Sequence, residues 1–516
     1  MRKAENLLLL ERIIKLEKII TPPPPVKDDD SEDKIPINAN QFDIEFLTRR
    51  FKNAPVYSTN DFSGSDLGMR INQADAKLGN RIGIIKIEYQ PGLEFLTPAL
   101  PQFENRWFIF CDGKFKSRTG FYGVNNSQFS YGRVLFPRSN SLISGTSHDA
   151  IVVEAQSEKN QPPKHSLFAP FNSTVVPYDL GESTANILKS ENIHYFNFQI
   201  NGLRTNRPND IGLATITIAN DDNCSVQDML IKDGSGYNVQ GGATCGQKVV
   251  GLTLPNGRQL GYHARNCAIL RNVFENALTQ NLGLINFDGL LVENNLMKNP
   301  TRPPLDGDPF NPISTGGDVE PIGDPREIVR GLRMRNNVID CTDSNGSLNF
   351  VGIAFQVNEE TYNDDNEITD NIISDNTTNK TQMSIGITVN GRGTQNLLLA
   401  RNKINECGQA GLDVTGNNIT LIDNEVKNSG GGGNPAMFVN NLTNSKIIGT
   451  KILRDVDRFD KRLEIWETGE NKGNVWENND AEEIRHSANA KVSDSVYRNN
   501  KGLVIENSNS KNNRIS

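Results

Sequence analysis

No stretch of this chain is both long enough and free enough of charge to cross a bilayer as a helix, so membrane insertion is not expected. The apolar run 7–20 is interrupted by Glu11, Arg12, Lys15, Glu17 and Lys18, and no small-residue cleavage site follows it, so a secretory leader is not expected either. Histidine is scarce, with five residues in 516, and the six cysteines include no CxxC pair. Neither residue type supports a metal centre, and no metal or other cofactor is expected. Clusters of Lys and Arg are also missing: 54 basic and 62 acidic residues interleave to a net charge of −8, which argues against a nucleic-acid partner. Hydrophobic residues reach only 36% and mean hydropathy is −0.50, so a core requires efficient arrangement of the few apolar residues.

What the chain has in excess is asparagine, 65 residues of it. Asparagine tolerates left-handed backbone and bonds to its own neighbourhood, so this excess implies many tight corners between short strands. A unit apolar-x-x-Asn-x-apolar recurs at 269–274, 292–297, 334–339, 368–373, 399–404 and 421–426, and more loosely at 447–452 and 492–497. Its asparagines are 23 residues apart from Asn272 to Asn295 and 22 from Asn402 to Asn424, with longer gaps where loops are inserted. A period in the low twenties with asparagine or glycine at corners is that of one coil of a parallel β-helix. A second strand per coil follows at 284–287, 318–320, 352–357, 386–390, 411–415, 436–440, 463–467 and 502–506. Alternation turns Val319, Ile387, Val389, Leu412 and Val414 inward, leaving a continuous outer groove on this sheet. Nothing between the strands is long enough for a crossover helix, which excludes a wrapped α/β sheet. Cys224, Cys245 and Cys267, 21 and 22 residues apart, are expected to stack as buried thiols in successive coils, with a disulfide as the alternative.

The chain divides into four parts. Residues 1–20 carry Leu9, Ile13, Leu16 and Ile20 at coiled-coil spacing, with Asn6 one step earlier; a lone amphipathic helix is the alternative. Residues 21–59 read as a linker, stiff at Pro22–Pro25 and acidic at Asp28–Asp33. Residues 60–222 contain a helix from the cap Asp66 to Leu78, apolar at Leu67, Ile71, Ala74 and Leu78, placed to plug the open end of a solenoid, and then the first coils. Residues 223–516 are the regular coils, with an insertion at 300–325.

The opening Asp61-Phe-Ser-Gly-Ser-Asp-Leu-Gly68 with Ile71-Asn72-Gln-Ala74, the tract Gln280-Asn-Leu-Gly-Leu-Ile-Asn286 and the strand Asp318-Val-Glu-Pro321 resemble the pectate-lyase-superfamily right-handed β-helix proteins. The similarity is to the group related to glycoside hydrolase family 28, and its pattern extends from about Asn60 to Ser516. The resemblance implies an all-β right-handed parallel solenoid in which the Asp-x-Glu-Pro strand lies in the groove. Polygalacturonase members carry a Gly-His-Gly motif, and none of the five histidines here sits in one.

Asp318 and Glu320 are the candidate catalytic pair: at i and i+2 on a strand they leave the same face, at carboxyl spacings of roughly 5 to 9.5 Å that glycosidases use. A solvated strand face is the plain alternative. Asn286, Gln356, Asn390, Asp413 and Trp466 are candidate substrate-binding residues, with stacked amides or core packing as their structural alternatives. Tyr237 is a further candidate for stacking on a sugar. His263 has no evident Ser or Cys partner. These features lead to the expectation of a homotrimeric, phage tailspike-type receptor-binding protein that binds, and cleaves, a bacterial surface polysaccharide, its N-terminal arm held by a tail or baseplate protein. The alternatives are a bacterial lyase, hydrolase or epimerase of this superfamily, and a non-catalytic adhesive β-helix.

Overall fold

The computed structural model describes residues 39–117, 121–124, 127–130, 134–154, 167–168, 190–202, 214–218, 221–234, 237–242, 250–254, 256–261, 263–277, 279–299, 314–321, 323–341, 350–375, 384–431, 433–455 and 463–516. The coiled-coil segment and the polyproline stretch lie outside these residues, as does Cys245.

Left-handed corners decide the architecture. Of 27 described non-glycine residues with positive φ, 18 are asparagine and 6 are aspartate, so the asparagine excess is spent on turning the chain. Between corners the strands are mostly three to eight residues long and pair in parallel with the strand one coil earlier and one coil later. Three columns of parallel ladder result, and the chain winds as a right-handed parallel β-helix. Among the described residues only two hairpins, Phe121–Val124 with Ser127–Ser130 and Val250–Thr253 with Gln259–Gly261, are antiparallel.

The asparagine of each repeat unit is buried at a corner. Asn272, Asn295, Asn337, Asn371, Asn402 and Asn424 form one ladder in which each Nδ2 donates to the Oδ1 of the next at 2.9 to 3.0 Å. The same Oδ1 accepts the backbone N–H of the preceding asparagine at 2.9 to 3.1 Å. The second Nδ2 proton goes to a strand carbonyl of the coil before, as from Asn337 to Val292. Insertions of any length leave this register untouched: successive ladder residues are 23, 42, 34, 31 and 22 apart in sequence.

The residue before each ladder asparagine is left-handed: Arg271, Asn294, Asn336, Asp370, Arg401 and Asp423. Arginine is an unusual choice for that backbone. Both arginines offset the strain by pairing with the left-handed aspartate at the same corner one coil earlier, Arg271 with Asp228 at 2.8 Å and Arg401 with Asp370 at 2.7 Å.

The interior is apolar, with Val319, Ile387, Val389, Leu412 and Val414 fully buried as alternation requires. The helix α1 (Leu67–Leu78) closes the first coil. Asp66 caps it, accepting from the backbone N–H groups of Gly68 and Met69, and Leu67, Ile71, Ala74 and Leu78 are buried. Gly68 of the opening motif is there for space, since a Cβ would sit 2.1 Å from the carbonyl oxygen of Thr97.

Two expectations are corrected. The linker assigned to 21–59 does not extend to 59: residues 39–58 form short helical turns and a strand, Val56–Ser58, that pairs with Gly83–Ile87. Phe42 is buried against Ala268, Leu270 and Leu291, and Phe51 against Ile84, Leu142 and Phe196, so this segment covers an outer sheet face. The cysteine column also differs. Strand Ser225–Gln227 pairs directly with Ala264–Leu270, so Cys224 and Cys267 occupy adjacent coils with no rung between them for Cys245. Both are free thiols, and the 43-residue step between them contains the Val250–Gly261 hairpin.

Asn337→Ala removes the acceptor for two N–H groups of Asn295 and the donor to Val292 and Asn371. Buried groups left unpaired make this substitution cost about 3 kcal/mol in urea denaturation, whereas Asn336→Gly at the adjoining left-handed corner costs less than about 1 kcal/mol. Equal costs would contradict the primacy of the ladder.

Candidate functional site

The groove sheet is built from β1 (Tyr237–Gly241), β2 (Gln280–Leu284), β3 (Ser314–Val319), β4 (Phe350–Gln356), β5 (Ile385–Asn390), β6 (Ala410–Asn417), β7 (Met437–Thr443) and β8 (Glu464–Thr468), each paired with the next. Register aligns Gly283, Asp318, Ala354, Thr388, Asp413, Phe438 and Trp466 in one outward column. Glu320, whose N–H continues the ladder to the Leu284 carbonyl at 3.0 Å, falls in the next outward column with Gln356 and Asn390.

The acid pair therefore stands at the end of a sheet strand, where the sequence places the 318–320 strand within the 300–325 insertion. The two residues have opposite environments. Asp318 is 3% exposed, while Glu320 is exposed to the cleft. Burial, followed by the charge of Glu320 and a hydrogen bond to its side chain, pushes the Asp318 pKa well above the ordinary carboxylate value. The Gln280 amide donates to Asp318 Oδ2, and Oδ1 is buried without a donor. A buried carboxylate oxygen lacking a donor is costly, and a proton on Asp318 removes that cost. Asp318 is thus the buried member of the pair, whose environment favours its protonated form, and Glu320 is the member that faces solvent.

Tyr237 completes the group. Its ring lies over Gly283, where a Cβ would come within 2.9 Å of it, and its pKa is raised by burial and by the charges of Asp318 and Glu320. The phenol keeps its proton and remains a donor. Tyr237, Glu320, Pro321, Gln356, Asn358 and Asn390 line a cleft of ≈ 590 Å³. Asn358 fixes the turn after the acids by donating to the Pro321 carbonyl at 2.9 Å. A second hollow of ≈ 520 Å³ adjoins it, walled by Asn358, Glu359, Glu360 and Arg392.

Of the expected binding residues, Gln356 and Asn390 line this cleft. Asn286 does not: it is fully buried, and its Oδ1 accepts the Ile328 N–H at 3.0 Å. Alternation explains this, because Leu284 points in, Ile285 points out into the cleft, and Asn286 points in again. Asp413 stands three rungs from Asp318, roughly 14 Å away, and Trp466 five rungs, roughly 24 Å. Both share the outward column but not the cleft. Burial raises the Asp413 pKa to about 6. Trp466 meets Phe438 edge to face at 6.1 Å and donates to Glu464 at 2.6 Å. His263 is buried, 3.9 Å from Asp288. Sequence reasoning weighed Tyr237 only as a stacking ring, and missed Gln280 and Asn358. The glycine at outward position 283 was the one signal that a neighbouring ring needed room.

Solved structures match this architecture over nearly its whole length. The tailspike protein of Escherichia coli bacteriophage HK620, solved as a variant in complex with a hexasaccharide, aligns at a TM-score of 0.51 and 12% identity, over 88% of this chain and 79% of that chain. The shared fold is the right-handed parallel β-helix. A family 28 exopolygalacturonase of Yersinia enterocolitica aligns at 0.45 and 10% identity over 89% of this chain and 78% of that one. The A-module of Azotobacter vinelandii mannuronan C-5 epimerase AlgE6 aligns at 0.41 and 11% over 89% and 99%. No protein-family model and no curated protein sequence matches the chain.

The raised pKa of Asp318 has a definite stability signature. Folding favours its protonated form, so its carboxyl is neutral for stability below the ordinary value near 3.8 and destabilises increasingly as pH rises toward the folded pKa. Asp318→Asn is therefore more stable than wild type at pH ~8, and the gain shrinks to nothing by pH ~3.5, as read by urea midpoints. A gain independent of pH would contradict the assignment of the proton.

Proposed function

We propose that this protein is a tailspike-type receptor-binding protein that seats a bacterial surface polysaccharide along the groove sheet and cuts it at Asp318 and Glu320. The observation that carries the reading is the acid pair, buried Asp318 with exposed Glu320, in the wall of a cleft lined otherwise by Tyr237, Gln356, Asn358 and Asn390. Amides and a phenol suit sugar hydroxyls, and an acid pair with one proton suits cleavage of a glycosidic bond. In the mechanism, the single proton of the pair passes from Asp318 by way of Glu320 to the leaving glycosidic oxygen, and the pair, then ionised, takes one proton from the attacking water. Tyr237 donates to the sugar and fixes its orientation. Asp413 and the Phe438–Trp466 pair extend the same outward column and would hold more distant sugars of a chain running along the helix axis.

The heptad spacing of Leu9, Ile13, Leu16 and Ile20 and the polyproline stretch after it support a homotrimer carried by an N-terminal arm on a tail or baseplate protein. Chains acting at a host surface would do so from the virion.

Incubation with envelope polysaccharide of the host, followed by sizing of the products, tests the catalytic part. Wild type shortens the polymer; Asp318→Asn and Glu320→Gln slow cleavage by ~10²–10⁴-fold while still binding it. Equal cleavage by the variants would remove the site, and binding without cleavage by wild type would leave an adhesive β-helix. For the assembly, light scattering is expected to give three times the chain mass, and a monomer would exclude the tailspike reading.

A further inference from the structure

The groove sheet is peculiar in what it omits. From β1 to β8, eight consecutive rungs, there is no lysine and no arginine. The next strand, Asp480–His486, supplies Arg485, and that guanidinium is held by Glu483 at 2.5 Å. The omission belongs to this face alone. The strand Ile328–Arg335 of a neighbouring column carries three arginines, and lysines recur on the short strands of the other column at Lys298, Lys403, Lys427 and Lys451.

Among the described residues, each cation on a loop beside the cleft lies within 4.0 Å of a carboxylate or a backbone carbonyl. Arg258 donates to the carbonyls of Pro325 and Glu360, Arg326 pairs with Asp324 at 3.3 Å, and Arg392, 88% exposed, lies 4.0 Å from Glu359. Against them the described cleft presents Glu320, Glu359 and Glu360, with Asp413 farther along. A polymer with a carboxylate on every unit would meet like charge along the sheet, with amides as its remaining partners, and like charges at such range repel. Amides such as Gln356, Asn358 and Asn390 serve hydroxyl and acetamido groups, which they can both donate to and accept from.

We infer that the sugar units seated between Glu320 and Asn390 carry no charge, so that the bond is broken by hydrolysis and not by elimination. This rests on the polysaccharide reading above and narrows it. Elimination needs a uronate, because the proton removed lies beside the carboxylate, and it leaves an unsaturated sugar. With uncharged units the water oxygen bonds to the anomeric carbon as the glycosidic C–O bond breaks. One proton passes from the acid pair to the leaving oxygen and one returns to the pair from the water, so the pair ends as it began.

The test is a panel of purified bacterial surface polysaccharides with either neutral or uronate-containing repeats, offered to the full-length protein at ionic strengths of about 0.02 M and about 0.3 M, which bracket a Debye length of ~10 Å. The expected result is binding at least ~10-fold tighter to a neutral member than to any uronate member, with an affinity that changes less than about two-fold with salt. Cleavage should yield new reducing ends without the ultraviolet absorbance of an unsaturated uronate. Gln356→Lys should then raise the affinity for uronate polymers in low salt and lose the gain in high salt. Preferred binding of uronate polymers by wild type, or products absorbing in the ultraviolet, overturns the inference and leaves the polysaccharide reading standing. Binding to neither class overturns both.

Discussion

Everything in this molecule depends on the hydrogen bond between one buried asparagine and the next. A parallel coil must turn a corner without leaving backbone groups unpaired inside, and a stacked asparagine provides two donors and two accepting lone pairs at that corner. The bond from Asn295 to Asn337 crosses 42 residues of chain and that from Asn402 to Asn424 only 22, with the same geometry. Registry is therefore set at the corner and not by coil length. That independence is what allows long loops to be inserted between rungs while the outward columns of the groove sheet stay in line.

Function follows from the same constraint. Because register is fixed, Glu320, Gln356 and Asn390 stack one above another, and Asp318 sits behind Glu320 with Gln280 and Tyr237 from the two preceding rungs. The side chains of the cleft come from five successive coils, so no local segment contains the site. The column of Asp318, Asp413, Phe438 and Trp466 extends the same logic along the axis, at about 4.8 Å per rung.

The parts of this arrangement that were legible in the sequence are those with a local cause. The apolar-x-x-Asn-x-apolar unit marks the ladder residues one by one, since the buried amide, the left-handed residue before it and the flanking strand residues all lie within six positions. Inward Val319, Ile387 and Leu412 were legible from alternation, and α1 from its cap at Asp66. Asn286 was misplaced because the alternation that Leu284 begins was not carried two residues further. The placement of Gln280 and Asn358 beside the acids was not legible because strand pairing across insertions sets it. Phe42 and Phe51 were hidden for a similar reason: a segment that reads as linker by composition is held by two aromatic anchors in pockets made by residues more than thirty positions away.

The most direct test of the central claim, that the pair Asp318 and Glu320 lies in the wall of a polysaccharide groove, is the crystal structure of Glu320→Gln with an oligosaccharide of the host envelope. The account predicts one sugar against Tyr237, Gln356 and Asn390, its glycosidic oxygen within hydrogen-bond reach of residue 320, and the chain continuing along the helix axis toward Asp413 and Trp466. An oligosaccharide bound on another column of the β-helix, with the cleft beside Asp318 empty, would contradict it.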